Sequence, residues 1–256
     1  MARPRLVFLH VPKTAGTTLV GVIEREYGVE RIARVYGGEF GIPVEELLGW
    51  PARRRRAVRA VVGHLPYGVA EHLPGRSVYA TLLRDPVDRI VSHFSYALTQ
   101  PSLVSLHDID PAHPSLEQHV TGSPLRHLVN DAQTGLIGGD VSLRAVEPGE
   151  RELERAMERL DRHVVFGVQE RFDESLLHLA RTFGWDLPVY TTVNVTSPRP
   201  AIEAVAPATR AVIEEHNALD RRLYDHAKAR FDELLERRPI PVQRLADLRA
   251  ALPKPG

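Results

Sequence analysis

Short apolar runs alternate with amphipathic stretches along most of the chain. Leu6 to Leu9 (LVFL), Ala60 to Leu65 (AVVGHL), Val78 to Leu83 (VYATLL) and His163 to Val168 (HVVFGV) are too short for helices and rich in strand formers. After the first run, Leu19, Val22, Ile23 and Tyr27 fall on one helical face, and Gly28 can end that helix. Further helices are predicted from Val87 to about Leu98, from Glu150 to Asp161, through DESLLHLARTFGW, and from Pro207 to about Arg237 before a Pro-bearing tail. Between the first helix and the second strand lie a Gly-rich bend at YGGEFGIP and the basic run Arg53 to Arg56. Thr99 to Pro124, rich in Pro, Ser and His, reads as a long surface loop with one short helix. Alternating strands and helices imply an α/β fold, one domain over residues 1–256, with a mostly parallel central sheet flanked by helices and a helical C-terminal third.

Composition narrows the function classes. Lys+Arg and Asp+Glu are equal at 33 each, which argues against a general nucleic-acid or membrane-surface binder. Without cysteine there is no disulfide, thiolate chemistry or Cys-ligated metal. The apolar run after Arg3 and Arg5 is too short for a signal-peptide core, and no run approaches the ~18 residues of a membrane span. The expectation is a soluble cytoplasmic protein.

Candidate chemistry begins at HVPKTAGTTL, where the first strand feeds a helix N-terminus. Free backbone N–H groups and the helix dipole favour an anion there. Gly16 permits close approach of a ligand, Thr17 and Thr18 add hydroxyls, and Lys13 adds positive charge. A nucleotide-triphosphate loop of the form G-x-x-x-x-G-K-[ST] would place lysine after the last glycine. Here it lies three residues before Gly16, so that pattern is not met. A second apolar run ends in an Arg-Asp-Pro turn at Arg84 to Pro86, followed eight residues after Arg84 by Ser92. Arginine offers a fork of donors to phosphate oxygens, although Asp85 and Arg89, four apart, could simply pair with one another.

HVPKTAGTTL resembles the 5′-phosphosulfate loop of sulfotransferases that use 3′-phosphoadenosine-5′-phosphosulfate (PAPS). Its exact form looks most like the carbohydrate 2-O-sulfotransferase (heparan/uronyl) branch. The Arg-Asp-Pro segment resembles the 3′-phosphate motif of that family. VVGHLPYG resembles its Gly-His segment, and VNDAQTGLIGG is similar to its Asn-x-x-Gln-Thr segment. The resemblance implies a P-loop-like sulfotransferase fold with PAPS as donor, adenosine 3′,5′-bisphosphate (PAP) as product, and no required metal. The nucleotide would lie against Lys13, Thr14, Ala15, Gly16, Thr17, Thr18, Arg84 and Ser92. His64 would be the general base and Lys13 the charge stabiliser in an in-line transfer to a sugar-like hydroxyl. His10, Asn130, Gln133 and Thr134 would lie near the acceptor, although Gly135 stands where the family usually has arginine. A P-loop-type nucleotide phosphotransferase and a non-catalytic nucleotide-binding protein on the same fold are the alternatives.

Other features have plainer readings. The Arg53–Arg56 run fits a polar helix face. His107 and His113 lack metal-ligand spacing, and no metal is expected. Trp50 and Trp185 suit core or loop anchors.

Overall fold

A computed structural model describes residues 3–36, 41–140, 147–191 and 204–253. Its strands are β1 (Arg5–Leu9), β2 (Ile32–Val35), β3 (Ala60–Gly63), β4 (Ser77–Leu83) and β5 (Val164–Val168). They form a sheet in the order β2-β3-β1-β4-β5, parallel at each pairing among the described residues. The helices in chain order are α1 (Gly16–Tyr27), α2 (Val44–Gly49), α3 (Ala52–Ala57), α4 (Pro86–Leu98), α5 (Pro101–Leu106), α6 (Leu116–Gly122) and α7 (Arg126–Val129). They continue with α8 (Ala132–Gly138), α9 (Glu150–Arg162), α10 (Phe172–Phe183), α11 (Pro207–His216), α12 (Ala218–Arg237) and α13 (Val242–Ala251). None of the described helices is long and apolar enough to cross a membrane.

Why the strands read as unbroken apolar runs follows from their burial on both faces. Successive side chains of a strand point to opposite sides. On β1, Val7 and Leu9 pack with Val61, Leu47 of α2, Leu153 of α9 and Phe231 of α12. Leu6 and Phe8 face the other way, against Val62, Leu19 and Ile23 of α1, and Leu176 and Phe183 of α10. Each such side chain contributes about 1.5–3 kcal/mol by leaving water. A third apolar cluster joins Val87, Ile90 and Val91 of α4 to Val120, Val129 and Ile213, so α4, α6, α7 and α11 form a helical annex to the sheet.

Three expectations need correction. An edge strand, β2, whose four residues alternate in burial, precedes the predicted Gly-rich bend, of which residues 37–40 lie outside the described residues. The segment 99–124 is not an irregular surface loop: α5 and α6 shape it, and His107, His119, Val120 and Ser123 are buried. The Pro-bearing tail carries α13, which buries Leu248 in the core beneath α10. The Arg53–Arg56 run does lie on a short solvated helix, α3, with Arg54 stacked 3.6 Å from the Trp50 ring centroid. Trp185 is buried and stacks on Phe183.

Candidate active site

Four polar or aromatic residues each follow the last residue of a strand: His10 after β1, Tyr36 after β2, His64 after β3 and Arg84 after β4. Parallel register aligns these ends, since Leu9 lies opposite Gly63 on one side and Thr81 on the other. Open parallel sheets bind ligands at this carboxyl edge. Gly63 is required there because an added Cβ would sit 1.9 Å from the Val35 carbonyl oxygen of β2.

The loop from β1 into α1 is held in an unusual backbone shape. Lys13 and Ala15 adopt left-handed φ of 67° and 64°. That conformation costs a non-glycine residue about 1–2 kcal/mol and concentrates at functional turns, where it aims N–H groups at an anion. Thr14 is wholly buried and donates its hydroxyl to the Val11 carbonyl at 2.9 Å, bracing the turn. No side chain caps the N-terminus of α1, and its first turn carries no acidic residue, so the helix end favours an anion. Thr17 is exposed on that first turn and Thr18 is buried. Lys13 extends its ammonium over the Tyr96 ring of α4, 3.9 Å from the centroid.

Arg84 ties this loop to the next strand. Its Nη1 donates to the Lys13 carbonyl at 3.0 Å, and its Nε donates to Asp88 Oδ2 at 2.7 Å. Its main chain is held by Gln133, which accepts from the Arg84 N–H and donates to the Arg84 carbonyl, both at 3.0 Å. Asp88 and Ser92 are four apart on α4 and share a face, so buried Ser92 lies in line with the carboxylate that holds Arg84.

His64 and His10 form the third part. His64 Nδ1 donates to the His10 carbonyl at 2.6 Å, which leaves Nε2 of the neutral ring as an acceptor. The His64 ring reaches the surface, yet the rings of His10 and Tyr36 crowd it at centroid separations of 4.9 Å. Loss of water around the ring lowers its pKa below the usual histidine value, and the bond to the carbonyl opposes that shift. His10 is buried, bonds Tyr36 through Nδ1 at 2.7 Å and stacks on Phe8. Burial first, then His64 and Lys13, holds its pKa well below the ordinary value. His10 is neutral and oriented, with Gly16 packed so tightly that a Cβ there would come within 2.1 Å of the ring.

The family model for galactose-3-O-sulfotransferase matches residues 1–251 of this chain. The chain belongs to the galactose-3-O-sulfotransferase family. Relatives include galactose-3-O-sulfotransferase 3 from Bos taurus and from Homo sapiens, each 28% identical over 250 residues, covering 88% of this chain and 56% of the relative. Heparan-sulfate 6-O-sulfotransferase 2 from Gallus gallus is 26% identical over 270 residues, covering 88% of this chain and 66% of that one. The chain thus spans a little over half the length of the galactose-3-O-sulfotransferase 3 relatives. A solved mouse sulfotransferase, SULT7A1 complexed with PAP, is 19% identical with a TM-score of 0.42, covering 97% of this chain and 88% of that one. The motifs resembled those of the carbohydrate 2-O-sulfotransferase (heparan/uronyl) branch; the carbohydrate sulfotransferase reading holds, and the family that matches is the galactose-3-O one.

On this family member the expected residues are not all gathered at one place. Lys13, Ala15, Gly16, Arg84 and the His10–His64 pair meet at the sheet edge. Gln133 and Thr134, expected near the acceptor, are wholly buried. Their backbone N–H groups donate to Asp220, at 3.2 Å and 2.8 Å. Asn130 donates to the Val120 carbonyl at 2.9 Å, and its Oδ1, like the Thr134 hydroxyl, is buried without a hydrogen-bond partner. Asp85 does not pair with Arg89: it caps α4 and meets Arg221 at 2.8 Å. Arg89 is wholly buried against the Leu128 and Val129 carbonyls, 3.7 Å from Asp220. Tyr36 and Tyr96 were not anticipated. Tyr36 was hidden by the missed strand β2, and no local signal marked the face of α4 that carries Tyr96.

Proposed function

We propose that this chain transfers the sulfuryl group of PAPS to a hydroxyl of a galactose-type sugar, with His64 as the general base. The observation that carries the reading is the 3.0 Å hydrogen bond from Arg84 to the Lys13 carbonyl, which joins two anion-favouring turns at the ends of adjacent strands. A nucleotide with phosphate groups at both ends of its ribose calls for such a pair of turns. The donor set suits it: backbone amides at the α1 N-terminus with Lys13, Thr17 and Thr18 for the 5′ end, and Arg84 with Ser92 for the 3′ end.

When bound, PAPS supplies the sulfuryl group. The chain's own residues do the rest. His64 Nε2, kept unprotonated by the bond at Nδ1, takes the proton of the acceptor hydroxyl. Lys13 and the helix N-terminus stabilise negative charge as it grows on the 5′ side, and such preorganised groups accelerate the step because they need no rearrangement. His10, neutral beneath the loop, keeps Gly16 and His64 at fixed separation. Galactose as the acceptor is supported by the family match alone, and the fold edge supports only the class of a polar hydroxyl substrate.

The test is transfer of label from ³⁵S-PAPS to a panel of galactosides, other sugars and simple alcohols, with γ-³²P-ATP and Mg²⁺ in parallel. Label should move from PAPS to a galactoside and nothing should move from ATP. Phosphoryl transfer from ATP, or binding of PAP without transfer to any acceptor, would replace the proposal with one of its alternatives.

A further inference from the structure

Arg84 lies one residue beyond β4, where no neighbouring strand remains to hold its main chain: the last paired residue of β4 is Leu83, opposite Val168. A strand partner would offer one acceptor for the N–H and one donor for the carbonyl. Gln133 supplies both from a single amide, each at 3.0 Å, and is wholly buried while doing so. The amide thus fixes both the N–H and the carbonyl flanking the Arg84 Cα, from which the guanidinium is launched toward the Lys13 carbonyl.

Gln133 is itself anchored. Its own N–H and that of Thr134 end on the two oxygens of Asp220 in α12. Asp131, just before α8, accepts from the Asp220 N–H at 2.8 Å and donates its own N–H to Asn217 at 3.1 Å. Arg89, buried 3.7 Å from Asp220, offsets the charge of that carboxylate. The Gln133 amide, both Asp220 oxygens and the Asn217 side-chain oxygen are each paired within this buried set, and displacing any of them strands a polar group away from water, although Arg89 Nε and the Thr134 hydroxyl have no hydrogen-bond partner among the described residues.

We infer that Gln133 is a positioning residue for nucleotide selection, acting through the Arg84 main chain to favour a ligand that carries a 3′-phosphate. The inference rests on the proposed PAPS reading and adds to it a residue that never touches the ligand. With the Arg84 backbone released, the side chain can still lie on Asp88, but its fork no longer meets a phosphate beside Lys13 in one geometry. A 5′-phosphate, held mainly by the α1 N-terminus at the other turn, loses far less.

The experiment is calorimetric binding of PAP and of adenosine 5′-monophosphate to wild type, Gln133→Met, Arg84→Ala and the double variant, with melting temperatures for each. Met keeps the length of the side chain and removes both polar ends. Gln133→Met should lower PAP affinity roughly tenfold, the loss of one net hydrogen-bond's worth of positioning, and leave adenosine 5′-monophosphate within about twofold. In the Arg84→Ala background the same change should cost nothing further, because the group it positions is gone. Gln133→Leu, which likewise removes both polar ends without adding charge, should match Met and serves if Met does not fold. Equal loss for both nucleotides, an additive double variant, or failure of both substitutions to fold would make Gln133 a residue of the fold and overturn the inference. A wild type that binds the two nucleotides equally would instead overturn the PAPS reading beneath it.

Discussion

The Nδ1 of His64 lies 2.6 Å from the backbone carbonyl of His10, and that single bond decides which nitrogen of His64 can accept a proton. A carbonyl can only accept, so Nδ1 carries the hydrogen and Nε2 is the basic site. His64→Ala should therefore lose about 10²–10⁴ in kcat while PAP binding stays near wild type. Because loss of water lowers the His64 pKa, a base at this position would stay neutral to a pH below the ordinary histidine value. The kcat profile of wild type should be flat above that value and fall only on its acid side. A rate that instead declines through the usual histidine range, or a His64→Ala enzyme with normal turnover, would remove His64 from this role.

Arg84 should discriminate between nucleotides. Arg84→Ala removes a charged fork and should cost about 1.5–3 kcal/mol of PAP binding, with adenosine 5′-monophosphate little changed. Titration calorimetry of both ligands on both proteins measures it, and parallel losses would place the 3′ end of the nucleotide elsewhere.

Lys13 offers a comparison that separates charge from backbone. Its φ of 67° suits glycine, so Lys13→Gly should relieve about 1 kcal/mol of backbone strain while Lys13→Ala should not. Both variants lack the ammonium over Tyr96, and both should lose about 10²-fold or more in kcat. Thermal melts rank the stabilities and steady-state rates rank the activities. If the glycine variant is less stable than the alanine variant, the turn is not strained as described.

Gly16 should behave against helix propensity. An alanine in a helix ordinarily gains up to about 1 kcal/mol over glycine. At position 16 the new Cβ would meet the His10 ring at 2.1 Å, and that ring is held by Tyr36 and Phe8. Gly16→Ala should therefore lose about 1–3 kcal/mol by overpacking, seen as a lower denaturant midpoint. A stabilised variant would mean that His10 is free to move aside.

Acid should unfold the helical annex through its buried histidines. His93 of α4 bonds His119 of α6 at 3.0 Å, and His107 packs against both rings. Burial, with the neighbouring histidines and Arg89, pushes His119 down from 6.5 to about 3 and His93 well below its ordinary value. The unfolded chain takes up protons near pH 6.5 and the folded rings do not, so stability is level above that pH and falls as pH drops toward 3. Each such histidine contributes a slope of about 1.4 kcal/mol per pH unit within that window. His119→Gln, which cannot titrate, should flatten the curve of unfolding free energy between pH 6 and 4 by about that amount relative to wild type. Parallel curves would mean that the cluster opens to water before the protein unfolds.

What the sequence determined by itself was local. Runs such as Leu6–Leu9 are strands because they are short, β-prone and buried on both faces, and the turns at Lys13–Gly16 and Arg84–Pro86 carry their anion-favouring groups within a few residues. Period and turn chemistry act over one or two turns of chain, so they survive without knowledge of any partner. Tertiary structure alone decided what depends on neighbours. Strand order brought His10, Tyr36, His64 and Arg84 to one edge, although 26 to 74 positions separate His10 from the other three. The spacing of four residues was equally open to Asp85–Arg89 and Arg84–Asp88; packing of α4 against α12 turned Arg89 inward to Asp220 and left Arg84 to Asp88. The sequence motif around Gln133 carries no sign that its amide closes the end of β4. Edge strand β2 was missed because only two of its four residues are buried, too weak a local pattern, and its hold comes from backbone pairing with β3. Hydrogen bonds between distant segments leave no period in the sequence, which is why the elements were legible there and their meeting was not.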